Sequence, residues 1–132
     1  MTIAVEPVIG RSPLRIGLAL QLRGRLQALA AGRPLVIDYY ATRLHGVAVG
    51  DLTVTIDEPA PEPCFIELEP VEGVVVLAHR RLLQVLEGAT LREAGPPWNR
   101  HLVIGLSKPE DWMDFLDRHG SGLSVAAARG AM

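Results

Sequence analysis

Cysteine is nearly absent from this chain: Cys64 is the only one in 132 residues, so no intramolecular disulfide can form. Such thiol usage suits a reducing compartment, and a cytoplasmic location is expected. The N-terminus carries Glu6 and Pro7 and lacks a basic region followed by a long apolar run, so no secretory leader is expected. No apolar stretch reaches the roughly 18 residues that a membrane helix needs. Nor is there an excess of positive charge. Lysine and arginine number 13 against 15 acidic residues, for a net charge of -2, which argues against a broad nucleic-acid-binding face. The one local concentration, His79-Arg80-Arg81, reads as the solvated start of a helix. Phosphate-loop chemistry is missing too, because Gly120-Ser121-Gly122 has no lysine after it. Ser121 and Ser124 lack a nucleophile-elbow context. No base, nucleophile and stabiliser can be nominated together, so the chain does not read as an enzyme.

What is present is an ordinary core-forming composition, 48% apolar and 21% charged, in a length that fits one domain. A single domain over residues 1–125 is expected, with 126–132 as a disordered tail. Ser12-Pro13 reads as a helix start, cap followed by proline. Leu18, Leu22, Leu26 and Leu29 then share one helical face until Gly32 and Pro34. From Leu35 the composition becomes that of a strand. A turn near His45-Gly46 leads into a second strand, in which Leu52, Val54 and Ile56 face the core while Thr53 and Thr55 face water.

After the proline-rich connection 57–63, Cys64, Ile66 and Leu68 are expected on one face of a third strand. Val74 to Leu77 reads as a short buried strand, and Leu82, Leu83 and Leu86 as the stripe of a short helix closed by Gly88. Two strands follow, Thr90 to Glu93 and Leu102 to Leu106. Ser107, with Glu110 three residues on, predicts the capping box of a last helix that turns Trp112, Phe115 and Leu116 inward. The order predicts an α+β fold: a mainly antiparallel sheet or sandwich of about six to seven strands, with N-terminal, short middle and C-terminal helices.

These pieces, in this order, resemble the HesB-like family, the A-type iron–sulfur cluster carriers. The resemblance is carried by a helix of the kind Ala19 to Ala31, a strand beginning Pro34-Leu35-Val36-Ile37, and the Asp57-Glu58-Pro59 connection. It continues through Gly73-Val74-Val75-Val76-Leu77, Arg81-Leu82-Leu83 and Leu86-Glu87-Gly88-Ala89-Thr90-Leu91, then Leu102 to Pro109, and so covers most of residues 12–109. It implies a HesB-like fold and a role in or near iron–sulfur or metal metabolism. That family binds its cargo with three cysteine thiolates, which suit iron–sulfur clusters. This chain has one cysteine, so the standard site cannot form within it. The family's first ligand position falls in the turn Leu44-His45-Gly46, and His119-Gly120-Ser121 stands where its cysteine–glycine–cysteine motif would be.

The resemblance therefore points to His45 and His119 as replacement ligands for iron or zinc. Read structurally, His45 is a turn residue and His119 a polar residue at a helix C-terminus, favoured there by the dipole. Cys64 reads as a buried apolar residue or as a redox or dimer-bridging thiol. Asp111, Asp114 and Asp117 read as a solvated helix face. Trp98, with Arg100 beside it, is a partner contact or a lid folded over the sheet edge. Two functions follow: a non-enzymatic accessory protein of iron–sulfur or metal metabolism, and a metal-independent protein-interaction or regulatory module. Both expect a protein partner or self-association, a dimer among the forms, and neither expects nucleic acid or membrane.

Overall fold

The computed structural model describes residues 10–57 and 64–119. They form an α+β fold of eight strands and two α-helices: β1 Gly10–Arg11, β2 Gly17–Leu18, α1 Leu26–Ala30, β3 Leu35–Leu44, β4 Val47–Ile56, β5 Phe65–Glu67, β6 Val76–His79, β7 Thr90–Ala94, β8 His101–Gly105 and α2 Pro109–His119. A five-stranded sheet has the order β1-β5-β6-β3-β4, and a three-stranded sheet the order β2-β7-β8. Both are mixed. β3–β4, β5–β6 and β7–β8 pair antiparallel, whereas β1–β5, β2–β7 and β3–β6 pair parallel. The strand count exceeds the expected six to seven because the N-terminal segment adds short strands to both sheets. Residues 58–63 of the proline-rich connection, Gly120 and Ser121 of the His119-Gly120-Ser121 segment, and the tail 126–132 lie outside the described residues.

β3 and β4 form a ten-residue ladder from Leu35↔Ile56 to Leu44↔Val47. His45 and Gly46 close it with φ of 52° and 80°, both positive as a type I′ hairpin turn requires. Leu52, Val54 and Ile56 pack against the core, as their alternation predicts. That core lies between the sheets and contains Leu22, Leu26, Leu35, Ile37, Val76, Leu82, Leu86 and Leu91. α2 closes it with Phe115 and Leu116, the face predicted from its spacing.

The long N-terminal helix does not form. Gly17 and Ala19 donate their amides to the carbonyls of Ala89 and Leu91 at 2.8 and 2.9 Å, so this stretch is spent as a strand on β7. Gly24, at φ 78°, breaks what remains into a 3₁₀ turn over Leu20–Leu22 and the five-residue α1. Leu22 and Leu26 are buried but Leu29 faces solvent. The middle helix likewise reduces to a 3₁₀ turn, Arg80–Leu82, running on into turns. Ser107 does not cap α2; its hydroxyl donates to the Glu87 carbonyl at 3.0 Å, tying the helix entrance to the turn before β7. Cys64 sits in the turn before β5, and Phe65 beside it is buried. Val74 is held outside β6 by a bridge to Val71, and Val75 is exposed.

Candidate functional site

The most chemically distinctive region gathers where β3, β6 and α2 meet. Tyr39 on β3 is fully buried, and its ring meets His79 edge-on at 5.2 Å and Phe115 at 4.9 Å between centroids. Phe115 stacks on Trp112 at 5.1 Å and meets His119 at 4.7 Å; Phe65 meets His79 at 5.9 Å. The Tyr39 hydroxyl accepts from the Arg81 guanidinium at 3.1 Å. His79 Nδ1 accepts the Arg81 backbone N–H at 3.1 Å, which assigns the ring proton of the neutral imidazole to Nε2.

His79 is not part of a solvated helix start. Only 4% of it is exposed, whereas Arg80 and Arg81 face water. Burial, then the Arg81 and Arg80 charges and His119, push its pKa down to about 4. A neutral ring is what this pocket stabilises. The apolar run Val74 to Ala78 that leads directly into it was the available sequence signal. The neighbouring arginines masked it.

His119 ends α2. Burial first, then Arg81 and Arg118, lower its pKa, so desolvation and two cations together outweigh the helix-end dipole expected to favour its charged form. Beside it a cleft of about 170 Å³ is lined by Arg81, Gln84, Asp111, Asp114, Arg118 and His119. Asp111 and Asp114 thus border this cleft, while Asp117 is simply exposed. His45 stands at the hairpin tip, six residues beyond Tyr39 and so roughly 20 Å along extended chain. Among the described residues, no three or more His, Cys, Asp or Glu side chains are grouped to hold a metal ion.

A second feature is apolar and faces water. Pairing across the hairpin sets Leu44 opposite Val47, Thr42 opposite Val49 and Tyr40 opposite Asp51, all on one face. The apolar members are exposed by 43% (Tyr40), 58% (Leu44), 61% (Val47) and 36% (Val49). The other face packs inward through Tyr39 and Ala41. Trp98, in the β7–β8 connection, is 84% exposed, which overturns the lid reading; Arg100 is exposed beside it. No helix among the described residues is long and apolar enough to cross a membrane. No protein-family model, curated protein or solved structure matches this chain.

Proposed function

We propose that this protein is a metal-independent protein-interaction module, working in the cytoplasm and binding through the outer face of the β3–β4 hairpin. One observation carries the reading: Leu44, Val47 and Val49 adjoin on the solvent side of a regular ladder, with Tyr40 diagonal to Val49 across Thr42 and Asp51. Scattered exposed apolar residues are ordinary, but contiguous ones favour a partner that removes them from water. This patch lies on a rigid element, so little order is lost on docking. A second copy of the chain is one such partner. Trp98 and Arg100 supply a separate anchor of the residue types that dominate binding energy.

Sedimentation of the protein over a concentration series, alone and as Leu44→Glu/Val47→Glu, tests this. The expected result is a dimer that the double variant converts to monomer with an unchanged circular dichroism spectrum. A wild-type monomer at all concentrations removes self-association as the function of this face.

The other reading, an accessory protein of iron–sulfur or metal metabolism on a HesB-like fold, is supported by the ordered segments from Ser12 to Pro109. Elemental analysis after anaerobic reconstitution separates the two. Stoichiometric iron or zinc, lost in His45→Ala/His119→Ala, favours the accessory role; a metal-free protein whose stability ignores iron and zinc favours the interaction module.

A further inference from the structure

We propose that the cavity at the start of β3 binds a small amphipathic carboxylate, an apolar body carrying one negative charge. The cavity has a volume of about 660 Å³ and lies at the end of β3 opposite the hairpin tip. That volume is in the range of small-molecule sites, which are mostly apolar with a few placed polar groups. Pro34, Val74, Val75 and Leu77 supply the apolar wall. Val75 is 43% exposed although its backbone is pinned, its carbonyl accepting the Leu35 N–H at 2.8 Å. Its side chain therefore cannot retreat into the core, and a ligand's hydrocarbon would take it out of water.

The charge at the rim selects the ligand's sign. α1 ends with Ala31 in the left-handed region and Gly32 at φ 82°, which carries the chain round to Arg33. Both the backbone N–H and Nε of Arg33 donate to the Ala30 carbonyl, at 3.0 and 3.5 Å. The side-chain stem is thereby anchored while the terminal guanidinium nitrogens keep their donors. Ion pairs among the described residues join Arg11 to Glu67 and Arg25 to Glu93, and none involves Arg33. Glu67 also lines the cavity, but Arg11 at 3.2 Å offsets its charge. Among the described residues, Arg33 is the basic side chain lining the cavity that joins no ion pair, and its planar fork matches a carboxylate with two parallel hydrogen bonds. Gln27 is held at the rim by its amide nitrogen, which donates to the Glu72 carbonyl at 2.7 Å.

Amide NMR titrations of the full chain with octanoate, octanamide and acetate test the assignment. Octanoate is expected to shift Val74, Val75 and Leu77 saturably, with a Kd on the order of 0.1 to 1 mM for so small and open a complex. Octanamide, which keeps the chain but not the charge, is expected to bind about tenfold more weakly, and acetate weaker still. Arg33→Gln, an exposed change that leaves the core intact, is expected to bring octanoate to the octanamide level, and Arg33→Lys to restore part of the difference. The proposal fails if octanoate shows no saturable shift up to about 10 mM. It fails equally if octanoate and octanamide bind alike, if Arg33→Gln leaves octanoate unaffected, or if the shifts fall elsewhere.

Discussion

His79 is held neutral by its surroundings, and this has a direct thermodynamic consequence. Its pKa is about 4 in the folded chain against 6.5 unfolded. Between those values the unfolded state binds the proton and the native state does not, so stability rises with pH. The contribution is nearly complete above pH 6.5 and is lost as pH falls towards 4, about 2 kcal/mol of it between pH 7 and pH 5. Urea unfolding at those two pH values should show the loss, and His79→Phe should flatten the profile by that amount. Parallel profiles for the two proteins would falsify this account. A second residue is informative for what it lacks. A Cβ at Gly50 would strike the Tyr40 carbonyl and lie 3.0 Å from Leu116 Cδ2. Backbone cannot step aside as a flexible side-chain end can. Gly50→Ala is therefore expected to cost on the order of 1 to 3 kcal/mol, read from the denaturation midpoint.

Among the elements, the β3–β4 hairpin is the most locally specified. Alternation over Val47 to Ile56 and the His45-Gly46 turn were both legible in the sequence, because a strand's period and a two-residue turn's chemistry are short-range properties. His45 occupies the first positive-φ position, where asparagine is preferred to histidine. His45→Asn should thus raise the thermal midpoint slightly, while His45→Val should lower it by an amount corresponding to about 1 to 2 kcal/mol. Retained metal binding in His45→Asn would also count against this imidazole as a ligand. The N-terminal segment behaved in the opposite way. Its leucine spacing does describe a helical face, and Leu22 and Leu26 are buried. Yet Gly17 and Ala19 gain two backbone hydrogen bonds from β7, more than seventy residues away, and helix propensity is a weaker force than that. Ser107 shows the same competition at smaller scale, satisfied by the Glu87 carbonyl instead of by its own helix.

For the whole molecule, the two sheets and α2 enclose one hydrophobic core and leave two distinct surfaces at opposite ends of β3: the apolar hairpin face and the cavity beside Arg33. If the hairpin face closes a dimer, the cavity stays open in that dimer. Octanoate should then leave the sedimentation coefficient unchanged, and Leu44→Glu/Val47→Glu should leave octanoate affinity within about twofold. A change in either measurement would mean the surfaces are coupled. What the sequence determined by itself was whatever depends on neighbours within a few residues: the α+β class, the long hairpin, the inward face of α2, and the lack of a three-thiolate site from a single Cys64. The tertiary structure alone decided which strand the N-terminal segment joins, that His79 is buried while Trp98 is exposed, and that Arg33 borders a cavity. Each of those outcomes depends on groups brought together from distant parts of the chain, whose contacts leave no local period to read.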